Sequence, residues 1–179
     1  MATQRRDKFK LCKSLYQPSA AAFRCEALVH GKTYESRAVI CFEKKTGLKV
    51  YKCGLFVHQE KTFLGASPDG LIDDDAIIEV KCPYAGRNEK ICPGKHFPFL
   101  KYDMETGNLQ LKCTSKYYFQ IQGQMYISRR ELCYFVVYTF EDLFIQRIKL
   151  DKEYCEHSMI PKLEQFYISY FRPYLASLL

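Results

Sequence analysis

The stretch "FLGASPDGLIDDDAIIEVKCPY" (63–84) sets Asp69 behind a Ser-Pro pair and places Glu79 and Lys81 two residues apart in an apolar run. Side chains alternate faces along a strand, so Glu79 and Lys81 share one face while Ile78 and Val80 take the other. Burying two ionisable groups costs free energy unless a partner compensates. If Asp69 stands at the start of the neighbouring strand, it comes beside Glu79, and two close carboxylates repel unless a cation lies between them. A hard divalent ion such as Mg²⁺ takes oxygen ligands and keeps several waters, so few protein ligands suffice. It lowers the pKa of bound water and polarises a phosphoryl oxygen. Lys81 would then hold an attacking water and offset charge in the transition state. Taken singly the pieces are bland: "SPDG" reads as a turn, and Glu79–Lys81 as a surface pair. Joined at this spacing, with an upstream helix that can add Glu35, they suggest a reaction centre.

The elements that must position these residues are legible in outline. Ser19 reads as an N-cap for a helix through "AAAFRCEALVHGKTYESRAVICFEKKTG", with Gly31 interrupting it and Gly47 ending it. Residues 48–59, 62–72 and 77–83 are rich in β-formers and read as a three-strand meander around the acidic turn 73–75, whose carboxylates are taken as solvated. Residues 84–114 read as a long loop with a short hairpin at "DMETGNLQL", and 115–128 as an amphipathic helix. Two strands and a terminal helix, kinked or split at Pro161, complete the chain. The class expected is α/β (α+β), a mixed central sheet flanked by helices. Residues 1–17 are expected as a basic tail and 18–179 as a single domain.

Composition narrows the partners. With 27 Lys and Arg against 20 Asp and Glu, the net charge of +7 permits a polyanion. Within the loop, Arg87, Lys90, Lys95, Lys101, Lys112 and Lys116 outnumber Glu89, Asp103 and Glu105, so this segment could contact phosphates without reading bases. Nine dispersed cysteines, with no CxxC, are expected as reduced thiols in an intracellular protein; nucleus and cytoplasm are not distinguished. No apolar run is long enough for a membrane span.

Asp69 followed by Glu79-Val80-Lys81 resembles the PD-(D/E)XK nuclease signature, whose core is the restriction-endonuclease-like fold. More narrowly, "GASPDGLI…IIEVKCPY", "HGKTYESRAVICFEKKTG" and "YYFQIQGQMYIS" together resemble the YqaJ-type viral recombinase family, which includes lambda exonuclease. That resemblance implies Asp69, Glu79 and the Val80 backbone carbonyl as metal ligands, Glu35 reaching the metal from the first helix, Lys81 as catalytic lysine and Gln122 as the motif glutamine, with Gln120 on the preceding turn. It also implies Mg²⁺, replaceable by Mn²⁺, and a 5′–3′ exonuclease on double-stranded DNA ends in recombination or viral DNA processing. Arg87, Lys90, Lys95, Lys112 and Lys116 would line the DNA path. The family's partners are a single-strand annealing protein and further copies of the chain, as a trimer. The N-terminus departs from the pattern: there is no tryptophan, and Arg5, Arg6 and Arg24 are candidates for a 5′-phosphate contact that no motif aligns. A catalytically silent DNA-binding module on the same scaffold and an endonuclease with the same core are the alternatives.

Overall fold

The computed structural model describes residues 7–17 and 25–178. In chain order it contains α1 (Lys8–Tyr16), α2 (Glu26–Thr46), β1 (Phe56–Val57), β2 (Gly65–Ala66), β3 (Gly70–Ile72), β4 (Ala76–Lys81), β5 (Leu100–Tyr102), β6 (Leu109–Leu111), α3 (Lys116–Ser128), β7 (Leu132–Tyr138) and β8 (Leu143–Lys149), followed by helical segments to Ala176. Glu26–Lys152 form one compact unit. The described residues up to Cys25, with those from Glu153 onward, form a second. Ser19, Arg5, Arg6 and Arg24 lie outside the described residues.

In the smaller unit Lys8–Tyr16, within the expected basic tail, form a helix. Asp7 caps it, its Oδ1 accepting from the Phe9 and Lys10 amides at 2.9 and 3.4 Å. Phe9 and Tyr16 set their rings edge-on to Tyr174 at 5.4 and 6.3 Å, so spaced aromatics outweigh the basic composition. The C-terminal helix contains two π-helical stretches, Cys155–Met159 and Tyr167–Phe171, each followed within two residues by a proline, Pro161 and Pro173. A proline has no N–H for the i−4 carbonyl, and the ladder widens just before it rather than breaking.

The larger unit is a four-stranded mixed sheet, order β3-β4-β7-β8. β4 runs antiparallel to β3 and parallel to β7, with Glu79 opposite Phe135 and Lys81 opposite Val137. A parallel pair needs a long crossover, and residues 82–131, carrying α3, supply it. Alternation sorts the sheet into two cores. Ile78, Val80, Cys82 and Val136 pack with Ala38 and Phe42 of α2. Ile77, Cys133, Phe135 and Val137 pack with Ile121 and Met125 of α3.

The three-strand meander forms, with gaps: 48–59 runs antiparallel to 62–72 in one register, through the Tyr51–Leu71 bridge and the Phe56–Ala66 and Val57–Gly65 pairs, and β3 runs antiparallel to β4. One expectation changes. Gly31 does not interrupt α2, because its Cβ direction opens on empty space and tertiary packing holds the helix through it. Gly47 does end α2, at φ 75°, its amide donating to the Glu43 carbonyl at 2.8 Å.

Candidate active site

The site gathers at the C-terminal end of β4. Asp69 precedes β3, and its backbone N–H donates to the Ile78 carbonyl at 3.2 Å. Its Oδ2 accepts from the Val80 amide at 2.7 Å, so the carboxylate extends the β3–β4 ladder beyond the last backbone rung. "SPDG" is thus less a turn than the start of a strand. Gly70 is fixed by crowding, since a Cβ there would stand 2.5 Å from Val50 Cγ1 and 3.1 Å from the Tyr51 carbonyl oxygen.

Glu79 faces α3 and is 1% exposed. A buried carboxylate needs donors, and it has three. Lys81 Nζ, on the same strand face, pairs with Oε1. Gln120 Nε2 donates to Oε1 at 2.7 Å, and Gln124 Nε2 donates to Oε2 at 2.9 Å. Lys81 Nζ also lies 5.0 Å from the centre of the Tyr117 ring, which braces it from the side.

Glutamines 120, 122 and 124 alternate along α3, yet residues two apart lie about 200° apart around a helix, while residues four apart share a face. Gln120 and Gln124 therefore meet Glu79 together. Gln122 turns away: its Nε2 donates to the Lys149 carbonyl at 3.0 Å and its Oε1 accepts from the Asp151 amide at 2.7 Å. The expected motif glutamine thus clasps the end of β8, and its two neighbours occupy the site. The signal for them was the i, i+4 pair flanking the apolar stripe of Ile121 and Met125.

The electrostatics mark the centre as strongly anionic. Burial, then the Glu79 carboxylate, pushes the Asp69 carboxyl up to about 7; Glu35 adds to the rise, while the Val80 amide and Lys81 oppose it. The neighbouring Cys82 thiol is pushed up to about 12, by burial first and then by Glu35 and Asp69. Glu35 thus acts on the centre from α2. The expected convergence of Glu35, Asp69 and Glu79 is looser than the sequence suggested: among the described residues no three His, Cys, Asp or Glu side chains form a ready metal cluster. The reason is geometric. Glu35 comes from the helix on one sheet face, Glu79 points to the other, and Asp69 is tied to the strand between them. The donor set still suits a hard cation. It offers oxygens alone, its excess negative charge is registered at Asp69, and an ion that retains waters needs only two carboxylates.

Tyr117, which braces Lys81, also lines a cleft of about 720 Å³ walled by Tyr84, Lys95, His96, Phe99, Lys112 and Lys116. Lys116 Nζ also lies over the Tyr117 ring, 5.1 Å from its centre. Arg87 stacks on Tyr84 at 4.2 Å and donates to that residue's carbonyl at 2.9 Å. Lys90 is exposed and not among the lining residues. All nine cysteines are unbridged. No described helix is long and apolar enough to cross a membrane.

Residues 4–131 match the profile of the YqaJ-like viral recombinase domain. Over 108 residues the chain is 30% identical to the uncharacterized protein R354 of Acanthamoeba polyphaga mimivirus, a stretch that is 60% of this chain and 19% of that protein, so the chain spans about a fifth of the relative's length. Among solved structures, LHK-Exo in complex with dAMP is similar at a TM-score of 0.65 and 27% identity, over 98% of this chain and 82% of that one. An alkaline exonuclease (LHK-Exo) from Laribacter hongkongensis gives 0.62 and 23%, over 93% and 86% of the two chains. A phage-related exonuclease from Haemophilus somnus 129PT gives 0.61 and 17%, over 96% and 80%. The mixed sheet with α2 and α3 on its faces is the PD-(D/E)XK-like core expected from the sequence.

Proposed function

The chain belongs to the YqaJ-like viral recombinase domain family, and from that premise we propose that it is a divalent-metal-dependent deoxyribonuclease, an exonuclease on double-stranded DNA ends in recombination or viral DNA processing. The observation that carries the reading is the buried Glu79 carboxylate, held by Lys81, Gln120 and Gln124 next to an Asp69 whose charge is only partly balanced. A purely structural strand gains little from such a residue, since an apolar side chain of similar volume would pack without desolvation cost.

Asp69, Glu79 and the Val80 carbonyl would hold the cation, with Glu35 approaching from α2. Mg²⁺, with Mn²⁺ as substitute, would supply an acidified water and a polarised phosphoryl oxygen. The chain's own groups do the rest. Lys81 offers a cation beside the reacting phosphate, steadied by Tyr117, and stabilises the charge that builds as water attacks. Gln120 holds Glu79 Oε1 and so keeps Lys81 and the carboxylate in register. Lys95, Lys112 and Lys116, with Arg87 at the Tyr84 ring, contact the DNA backbone as it approaches. Water is the nucleophile, and no covalent intermediate with the protein is required. Assembly as a trimer and pairing with an annealing protein belong to the same proposal. So does residence where thiols stay reduced, which the unbridged cysteines favour.

The test uses linear duplex DNA, 5′-phosphorylated or 5′-hydroxyl, and closed circular DNA, each with Mg²⁺ or Mn²⁺. The wild type should digest linear DNA and spare the circle. Glu79→Ala and Lys81→Ala should each lose on the order of 10²–10³ or more in rate, the scale for removing a group that stabilises developing charge. A wild type indistinguishable from either variant would remove the proposal. Cutting of the circle would turn it toward an endonuclease, and DNA binding without any cutting toward a silent module.

A further inference from the structure

Gln124, one turn beyond Gln120 on α3, is 6% exposed, and its amide nitrogen serves two acceptors: Glu79 Oε2 at 2.9 Å and the Ser67 carbonyl at 3.3 Å. Neither partner can donate when Glu79 is ionised, so the NH₂ must face them and the amide cannot be turned over. That fixes Oε1 on the other side, buried and without a hydrogen-bond partner; no other side-chain atom among the described residues shares that condition. An unpaired buried acceptor is destabilising, and folded proteins rarely keep one without a water, an ion or a function to meet it. Here it lies on the residue that grips one oxygen of the central carboxylate, in the field that raises Asp69.

Resting on the nuclease reading above, we propose that Gln124 is a positioning residue for the cation site. Its NH₂ group holds Glu79 Oε2 in place, and its free carbonyl oxygen accepts a hydrogen bond from a water in the cation's hydration shell. A hard ion that keeps several waters needs acceptors for their hydrogens, and the groups around such a shell tune affinity nearly as much as the direct ligands. Gln120 does a different task, since it shares Glu79 Oε1 with Lys81 and leaves Oε2 to Gln124.

The experiment is a Mn²⁺ titration of the full chain without DNA, read by the electron paramagnetic resonance of free Mn²⁺, for the wild type, Gln124→Met and Gln124→Asn. The melting curve of each is taken alongside. Gln124→Met keeps length but offers neither the NH₂ nor the carbonyl oxygen, and should bind Mn²⁺ about 10- to 100-fold more weakly. Gln124→Asn keeps both groups but withdraws them from Glu79 by one methylene, with no change of charge, and should also bind more weakly than the wild type. Equal affinity of either folded variant and the wild type overturns the inference. Should Gln124→Met fail to fold, Gln124→Asn decides alone: weaker affinity supports the role, affinity equal to the wild type removes it. A wild type that binds no Mn²⁺ sinks this inference and the metal reading together. A wild type that binds Mn²⁺ yet cuts no DNA sinks the nuclease reading and leaves the Gln124 comparison standing.

Discussion

A carboxylate at 1% exposure inside a sheet is held by whatever donates to it, and at Glu79 those donors are an ammonium and two amides. Gln122, fully buried two residues from each amide, serves the backbone at 149–151 instead. The two kinds of glutamine should therefore fail in different ways. Gln120→Leu should lower kcat by about 10- to 100-fold, the usual cost of losing a group that orients a ligand, with little change in urea midpoint. Gln122→Leu should destabilise by about 1–3 kcal/mol, because the Lys149 carbonyl and Asp151 amide lose a partner, while activity per folded molecule stays near wild type. Rates normalised to folded protein, beside urea melts, separate the two. An equal loss of rate in both would show that the site reaches farther around α3 than the hydrogen bonds indicate. Strand alternation made Glu79 and Lys81 legible as one face from the sequence alone. Which of three alternating glutamines meets them depends on the rotation of α3 about its axis, and that is set by Ile121 and Met125 packing on β7, a tertiary fact no local pattern carries.

At the scale of elements, β4 has one neighbour close in sequence and one far away. β3 leads into β4 through the tight acidic turn 73–75, which the sequence announced. β7 arrives after fifty residues; the strand-loop-helix-strand order gave a mixed sheet, and the structure shows β4 and β7 to be its parallel pair. The meander that the β-forming composition announced is present but gapped: 48–59 lies along the free edge of β3 and bonds only at Tyr51 and at Phe56–Val57, with Tyr51 passing close over Gly70. Asp69 is the next residue along, tied to β4 by its N–H on the Ile78 carbonyl and its Oδ2 on the Val80 amide. Gly70→Ala should force Val50 or the Tyr51 backbone outward, at a cost of about 1–3 kcal/mol. Displacement of Asp69 from the Val80 amide should follow, so activity should fall by more than the lost folded fraction explains. The measurement is a urea melt paired with kcat of the folded protein. A variant as stable and active as the wild type would mean that 48–52 yields freely and does not set the site.

For the molecule as a whole, the surplus of seven positive charges says only that a polyanion is welcome; where it binds depends on how the charges are placed. Lys112 and Lys116 flank the cleft, with Tyr84, Phe99 and Tyr117 in its walls. Lys44 is exposed in the last turn of α2, where a cation also favours the helix dipole. If DNA lies along the cleft, each lysine there neutralises a phosphate and releases a condensed counterion, contributing about 0.9 to the slope of log affinity against log salt. Lys112→Gln with Lys116→Gln should then flatten that slope by about 1.8, whereas Lys44→Gln should leave it nearly as it was. Titrations of labelled duplex from low to moderate salt, with chelator present so that no strand is cut, give the slopes directly. Charge enters both substitutions alike, one neutralised cation per residue, so net charge alone predicts equal flattening per lysine. Only a localised path through the cleft predicts that the change follows position rather than number.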